Sequence, residues 1–230
     1  MQQRLRTSAL LLGGVFGPLL FVVVFLIEGA TRPNYNPWRH SVSQLSLGEQ
    51  GWINSLSIFI CGLCLLGFAL GIKRVLPSGG RMLWGGRLAE FGSVCFLLLA
   101  FFATNPSLGY PPQVVPTYTV PGLIHAIAAT IFFGCLSALC FVLGQRSIGG
   151  KGWGLFSRII GSMVAITYVA TVVVTSLDMS GKWVEAPGGF LERLTLISGL
   201  GWVMILAFHL LQMNPPAQTA PIRTDEQLLK

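Results

Sequence analysis

The stretch PGLIHAIAATIFFGCLSALCFVL, residues 121–143, indicates the fold class of this 230-residue chain. It contains no Asp, Glu, Lys or Arg, and its only ionisable side chains are His125 and two cysteines. A helix needs about 20 mostly apolar residues to cross the hydrocarbon core of a bilayer. This stretch is long enough, so we predict that it is a transmembrane helix.

Five more runs of the same character lie on either side of it. The six predicted spans cover about residues 8–29, 52–72, 88–104, 121–143, 157–176 and 194–212. The composition agrees, because 53% of the residues are hydrophobic and 10% are charged, whereas soluble domains carry about 25% charged residues. The alternation typical of barrel strands, with a segment length of about 10 residues, is absent from the sequence.

The sequence therefore predicts an all-α, polytopic membrane protein. Residues 1–212 are expected to form one bundle of six transmembrane helices. The polar, proline-rich residues 213–230 are expected to form a flexible cytoplasmic tail.

The distribution of basic residues predicts the orientation of the bundle. Eleven of the fifteen Lys and Arg residues fall in the N-terminal segment, the second and fourth loops and the tail, and four fall in or beside the other loops. The positive-inside rule then places both termini in the cytoplasm. We interpret the net charge of +7 as a consequence of this topology, and it is expected to attract the chain to anionic lipids. No nucleic-acid partner is expected, because no basic face is interleaved with aromatic residues.

Two further patterns concern the interior of the spans. Cys61-x-x-Cys64 has the spacing of half a zinc site, but no second pair lies near it, so neither a metal nor another cofactor is predicted. Small residues four apart, Gly67 and Gly71 in the second span and Ala126, Thr130, Gly134 and Ala138 in the fourth, are expected to pack against neighbouring helices within the monomer.

The connection after the first span, RPNYNPWRHSVSQLSLG at residues 32–48, holds most of the polar chemistry of the chain. Ser41-x-x-Gln44 is a capping box, which predicts a short helical turn starting at Ser41. Trp38 and Trp52 flank it like aromatic anchors at the headgroup level. Arg32 is expected to offset Glu28, one helical turn earlier.

Other polar residues fall on the same predicted extracytoplasmic face. Since a six-helix bundle gathers these helix ends, we expect them to converge on one shallow pocket. The candidate ligand-binding residues are Arg39, His40, Ser43, Asn105, His125, Asp178, Glu192 and Arg193.

Such a pocket is compatible with several kinds of ligand binding or catalysis. Arg39 and Arg193, with the N-terminus of the sixth span, could hold a phosphate or carboxylate at headgroup depth. Alternatively, Arg193 pairs with Glu192 or Glu185 and Arg39 meets phospholipid nonspecifically.

His125 could act as a base, a metal ligand or a headgroup contact, or could form an interhelical hydrogen bond. A Ser–His pair would use Ser41 or Ser43 as nucleophile. A two-histidine, one-carboxylate metal site would use His40, His125 and Asp178, although nothing in their spacing requires it.

Three segments together resemble a known family. RPNYNPWRHSVSQLSLGEQGW after the first span, GLIHAIAA in the fourth and GGFLERLTLISG in the sixth are similar to six-span bacterial membrane proteins catalogued as domain of unknown function nine-nine-eight. The resemblance covers roughly residues 8–212 and implies a six-helix fold in the bacterial plasma (inner) membrane. A more distant similarity to the Frag/DRAM six-span proteins, some of which are implicated in lipid remodelling, suggests a lipid-related role.

Three functions compete on this basis. The first is binding, and in its stronger form modification, of a lipid or other amphiphile at the extracytoplasmic face. The second is a noncatalytic structural subunit, with a membrane-protein partner or a second copy of the chain. The third, a transporter, fits less well, because ionisable residues near mid-membrane and interrupted helices are not evident.

Overall fold

The computed structural model describes residues 2–76 and 79–213, and within these ranges the chain is all-α. Six long helices are present: α1 (Gln2–Thr31), α2 (Gly51–Val75), α3 (Gly80–Phe101), α4 (Val120–Leu143), α6 (Trp153–Met179) and α7 (Gly188–Met213). A four-residue helix, α5 (Arg146–Gly149), and a 3-10 helix (Val42–Ser46) lie in the connections. The six long helices are long and apolar enough to cross a membrane, so the predicted helical class and number of spans are confirmed.

The helices are longer than most of the predicted spans, because helical hydrogen bonding continues past the apolar core into polar ends. α3 shows the largest shift: it begins at Gly80 and ends at Phe101, whereas the apolar run suggested 88–104. The helix ends because the backbone becomes extended at its C-cap, Phe102 (φ −113°, ψ 100°). The predicted flexible tail falls mainly on residues 214–230, which lie outside the described residues.

The six long helices form a closed ring in the order α1, α2, α3, α4, α6, α7, with α7 also packed against α1. The centre of the ring is filled by aromatic and aliphatic side chains, of which Phe25, Phe68, Phe96 and Trp202 are among the largest that are fully buried. α6 is the most peripheral span, since only 17% of its most apolar window is buried.

The prediction for the small residues holds for α2 and only in part for α4. Gly71 of α2 packs against α1, where a Cβ atom would lie 2.9 Å from Leu11. On α4, the hydroxyl of Thr130 lies 2.7 Å from that of Tyr168 on α6, but no atom lies within 4 Å of a Cβ built at Gly134. The ridge therefore lies at the edge of the contact between α4 and α6, and the buried stripe of α4 runs along other residues of the helix.

The first loop (residues 32–50) folds back over one end of the ring. The predicted capping box is present, and the turn is the 3-10 helix Val42–Ser46. Val42 and Leu45 point into the bundle, with 2% and 0% exposure. The expected ion pair between Arg32 and Glu28 also forms. We call this side of the molecule the first-loop end; the third loop (residues 102–119) lies there as well.

Candidate functional site

The eight candidate residues all lie at the first-loop end, but they are not equivalent. Their contacts divide them into three groups: residues that hold the first loop in place, a buried chain of hydrogen bonds beneath that loop, and one residue at an open groove.

The first loop is attached to α6 by an ion pair. Arg39 donates from Nε to Oδ2 of Asp178 at 2.7 Å and from Nη2 to Oδ1 at 2.7 Å. The Asp178 side chain is 1% exposed and that of Arg39 is 25% exposed. Hydrogen bonding to Asp178 raises the pKa of Arg39 above its ordinary value, so this guanidinium is always charged and is occupied within the protein.

Arg193 attaches the same loop to α7. Its Nη1 donates to the carbonyl oxygens of Pro37 at 2.8 Å, His40 at 3.1 Å and Gly189 at 2.9 Å. Its Nη2 donates to the hydroxyl of Tyr35 at 2.7 Å. Burial raises the pKa of Tyr35, so this hydroxyl stays protonated and in turn donates to a loop carbonyl. Arg193 thus organises the loop backbone.

The first amides of α7 are also occupied by the loop. The amide of Gly189 donates to the carbonyl oxygen of Arg39 at 3.1 Å, and that of Phe190 donates to the carbonyl oxygen of Trp38 at 3.0 Å. The donors expected to hold an anion therefore bind carbonyl oxygens of the first loop. Neither Glu192 nor Glu185 forms an ion pair with Arg193 among the described contacts, and the ion-pair partner of Arg39 is Asp178.

His40 joins the first loop to the third. The amide of Asn36 donates to Nδ1 of His40 at 2.9 Å, so Nδ1 is unprotonated and Nε2 carries the hydrogen. Nε2 donates to the carbonyl oxygen of Leu108 at 3.2 Å. Burial lowers the pKa of His40, and the positive charge of Arg39 lowers it further. The neutral ring is therefore part of the loop structure.

A buried chain of hydrogen bonds lies beneath the 3-10 helix. The hydroxyl oxygen of Ser43 is 3.0 Å from Nε2 of His125 and 3.3 Å from Oε1 of Glu192. The other carboxylate oxygen of Glu192 accepts from the amide of Val42 at 2.7 Å. Nδ1 of His125 is 2.6 Å from the carbonyl oxygen of Phe102. The 3-10 helix, α4 and α7 therefore meet at the Ser43 hydroxyl, and the end of α3 joins them through His125.

Asn105 has a different environment. Its side-chain oxygen accepts from the amide of Thr119 at 3.0 Å and from the Thr119 hydroxyl at 2.9 Å. Thr119 is the N-cap of α4 and its hydroxyl accepts from the amide of Gly122. Asn105 therefore fixes the start of α4, and it also lines an open groove of about 230 Å³ between the third loop, α4 and α6.

The residues of the proposed metal site are separated by their partners. His40 binds backbone groups of the two loops, His125 binds Ser43, and Asp178 binds Arg39. Among the described residues, no group of three or more His, Cys, Asp and Glu side chains could hold a metal ion. Cys61 and Cys64 are free thiols.

Two residues at this end were not singled out from the sequence as site residues. Nε2 of Gln44 donates to the carbonyl oxygen of Ser107 at 2.8 Å, so this residue links the two loops as well as closing the capping box. Tyr35 receives the hydrogen bond from Arg193. The capping box pointed to Gln44 but not to its second partner, and nothing in the sequence pattern distinguished Tyr35.

The fold and this end of the bundle define a class: a multi-pass helical membrane protein whose first loop is fixed over the helix ends by buried polar contacts. The chain belongs to the family described as Protein of unknown function (DUF998), whose model matches residues 15–209. No curated protein and no solved structure matches the chain.

Proposed function

We propose that this protein binds a lipid or another amphiphile in the groove at its first-loop end. The observation that carries the proposal is the groove of about 230 Å³ between the third loop, α4 and α6. Its lining includes polar side chains from both loops, Ser41, Gln44, Asn105, Ser107 and Thr117. Ala126 and Met179 line it from the helices, so the groove offers hydrogen bonds on one side and an apolar surface on the other.

The surroundings of the groove suit a ligand at the membrane–water boundary. The third loop exposes apolar and aromatic side chains, with Val115 72% and Tyr118 88% exposed. Val120, at the start of α4, is 71% exposed. Aromatic side chains are enriched at the headgroup level of membranes. A headgroup in the groove would lie beside the loops, with apolar helix surface next to it for an acyl chain.

The orientation and compartment are part of the same proposal. The excess of Lys and Arg in the N-terminal segment and in the second and fourth loops supports cytoplasmic termini. The groove then faces the extracytoplasmic side of a bacterial plasma membrane. The proposal requires no cofactor and no nucleic acid, and its partners are membrane lipids.

The candidate residues have different roles in this proposal. Asn105 contacts the ligand from the groove wall, while Arg39, His40 and Arg193 act indirectly because they hold the first loop that supplies Ser41 and Gln44. In this arrangement the two arginines position the first loop and do not bind an anionic headgroup directly.

The test is native mass spectrometry of the full chain released from membranes in mild detergent. Ala126→Trp fills the groove from α4, where Ala126 is exposed and lines it. Ile127→Trp is the matched control, because Ile127 is the next residue, is 52% exposed and does not line the groove.

A discrete bound mass is expected in the wild type and in Ile127→Trp, and its loss is expected in Ala126→Trp. Fragmentation of the bound mass then identifies the class of amphiphile. The proposal fails if Ala126→Trp retains the same ligand as the wild type, or if the wild type carries none when it is incubated with lipids of its own membrane.

A second function, a noncatalytic structural subunit, is favoured by the exposed surface of α6. Only 17% of the most apolar window of this helix is buried, which leaves much of it available to lipid or to another membrane protein. The same measurement distinguishes this function, because a fixed mass of a partner chain, unaffected by Ala126→Trp, would support it.

A further inference from the structure

The hydrogen bonds of His125 define which of its nitrogens is a base. The carbonyl oxygen of Phe102, 2.6 Å from Nδ1, can only accept a hydrogen bond, so Nδ1 carries the hydrogen. In the neutral ring, Nε2 is then an acceptor. It accepts from the hydroxyl of Ser43 at 3.0 Å, and the single hydrogen of that hydroxyl is shared with Oε1 of Glu192 at 3.3 Å. This is the relationship between a serine nucleophile and its general base.

The His125 ring is oriented by a backbone carbonyl group that has no hydrogen-bond partner within its own helix. Phe102 is the C-cap of α3, and carbonyl groups at a helix C-terminus lack an intrahelical partner. His125 lies on α4 and is 3% exposed, so its ring is fixed by packing and by this carbonyl. The carbonyl of Phe102 thus takes the place that a carboxylate has in a Ser–His–Asp triad.

The nucleophile is positioned from the opposite side. Glu192 of α7 accepts from the amide of Val42 at 2.7 Å and from the Ser43 hydroxyl at 3.3 Å. Glu192 therefore positions the 3-10 helix relative to His125. Ser43 itself is partly exposed, in contrast to buried His125 and Glu192.

Ser43 lies at the polar end of an apolar cavity. The cavity, of about 20 Å³, is lined by Ser43, Glu192 and otherwise apolar side chains. Phe132 lines this cavity and also a second one of about 30 Å³ further along α3 and α4. The lining of the second cavity is apolar except for Ser93. Each has room for about one or two water-sized groups, so they mark an apolar direction from Ser43 into the bundle that an acyl chain enters only if the intervening side chains move.

The cavity and the groove lie on two sides of the same short helix. Ser41 and Gln44 line the groove, whereas Val42 and Ser43 line the cavity. On α4, the groove is lined by Gly122 and Ala126, which flank His125 in sequence. The Ser43–His125 contact therefore lies between the polar groove and the apolar interior of the bundle.

From this geometry we propose that Ser43 is an acyl-accepting nucleophile and His125 its general base, acting on an ester-linked acyl chain of an amphiphile. The inference rests on the proposed amphiphile-binding function and adds a reaction to it. The carbonyl of Phe102 orients the base, and Glu192 is a positioning residue.

The reaction balances with these groups alone. The Ser43 oxygen attacks the ester carbonyl carbon while its proton passes to Nε2 of His125. The bond from that carbon to the leaving alcohol breaks, the alcohol oxygen takes the proton from Nε2, and an acyl-Ser43 ester remains. Water or the hydroxyl of a second amphiphile then attacks the acyl carbon and gives its proton to Nε2. The Ser43 oxygen leaves and takes that proton back.

The test uses the full chain in vesicles of phosphatidylethanolamine and phosphatidylglycerol, treated with an alkyl fluorophosphonate. Attack by an activated serine on the phosphorus releases fluoride and leaves a stable adduct, which intact-mass and peptide mass spectrometry locate. We compare the wild type with Ser43→Ala, His125→Gln and the control Ser180→Ala. Ser180 is exposed, and its hydroxyl donates locally to the carbonyl oxygen of Leu177.

One adduct on Ser43 is expected in the wild type and in Ser180→Ala, and none in Ser43→Ala. His125→Gln should label about 100-fold more slowly, which is the lower end of a general-base contribution. Each variant is first checked for a wild-type thermal transition. If His125→Gln does not fold, the loss of labelling in the wild type on acidification, which protonates the base, replaces it.

The proposal is overturned if the folded wild type forms no adduct, or if the adduct persists in Ser43→Ala. Its failure is distinguishable from failure of amphiphile binding. A ligand that is lost in Ala126→Trp while Ser43 remains unlabelled would leave a binding protein without this chemistry.

Discussion

Arg39 and Asp178 are separated by 139 positions in the sequence, yet they meet through two hydrogen bonds of 2.7 Å each. The planar guanidinium matches both carboxylate oxygens at once, and the carboxylate is buried at the end of α6. This pair attaches the first loop to α6, the most peripheral span. It therefore holds the first-loop side of the groove next to the α6 side.

Arg39→Lys should destabilise the protein although the charge is retained. An ammonium group cannot reproduce the two-pronged contact. Loss of one charged hydrogen bond costs about 1–2 kcal/mol when the partial exposure of Arg39 is taken into account. Thermal unfolding in detergent measures the change. Lys73→Ala breaks the more exposed Lys73–Glu90 pair and is expected to cost less than about 1 kcal/mol. Equal costs would contradict a special role for Arg39.

The start of α7 leaves no room for a side chain at Gly189. A Cβ atom there would lie 2.7 Å from the carbonyl oxygen of Pro37 and would overlap that of His40. Both contacts are to backbone, so Gly189→Ala must displace the first loop, and a loss of about 1–3 kcal/mol is expected, as for overpacking of a core. The melting temperature and the susceptibility of the loop to proteolysis are the measurements.

Gly201→Ala provides the control for that substitution. Gly201 lies on the same helix, and no atom lies within 4 Å of a Cβ built there. Alanine at this position should be neutral or slightly stabilising, because it favours the helix by up to about 1 kcal/mol. If both substitutions had the same effect, helix propensity would explain the result and the close approach at Gly189 would not.

His40 makes stability depend on pH. Burial holds the pKa of its folded state below the ordinary value, which is about 6.5. As the pH falls below 6.5, the unfolded chain binds a proton that the folded chain does not, so the free energy of unfolding decreases. Protonation of Nδ1 would also break the hydrogen bond from the amide of Asn36. The slope contributed by this group is at most about 1.4 kcal/mol per pH unit.

The measurement is the midpoint of thermal unfolding between pH 5 and pH 8. His40→Asn should flatten the profile between pH 5 and 6.5, because an amide oxygen accepts a hydrogen bond without titrating. His209→Gln is the control, since His209 lies near the other end of α7 and contacts the carbonyl oxygen of Ile205 in its own helix. A profile that His40→Asn leaves unchanged would show that another group is responsible.

The sequence was sufficient for the spans because each one carries its own signal. Exposing an apolar run such as residues 121–143 to water costs free energy regardless of the rest of the fold. The rotation of α4 about its own axis was not predictable in the same way: Gly134 belongs to a ridge with the composition of a packing surface, yet no atom lies within 4 Å of a Cβ built there. Which side of a uniformly apolar helix meets its neighbours depends on the rotation of the helix within the bundle.

The site was predictable as a location and less so as a set of contacts. The candidate residues lie at one end of the bundle, because the alternation of spans and loops places them there. The acceptors of Arg193 are largely backbone carbonyls, of Pro37, His40 and Gly189, and carbonyl groups have no signature in a sequence. The sequence allowed several partners for His125, and only the structure shows that it contacts Ser43.

The two cavities below Ser43 lead to a prediction about acyl-chain length. Phe132 is 4% exposed and contributes to the lining of both cavities. Replacing its ring by a smaller side chain should join them into one longer channel. Phe132→Leu should therefore increase the rate of labelling by long-chain fluorophosphonates relative to short-chain ones. Phe132→Ala should have a larger effect, but at a stability cost of about 3–5 kcal/mol, so Phe132→Leu is the primary variant.

The measurement is the ratio of labelling rates for an alkyl fluorophosphonate of about 12 carbons and one of about 4, both longer than the one or two methylene-sized groups that a cavity of about 20 Å³ holds. Phe141→Leu is the control, because Phe141 lies on the same helix and is 44% exposed. The ratio should rise in Phe132→Leu and stay constant in Phe141→Leu. An unchanged ratio in both variants would mean that the chain does not enter the bundle past Ser43 but stays in the groove, beside α4 and α6.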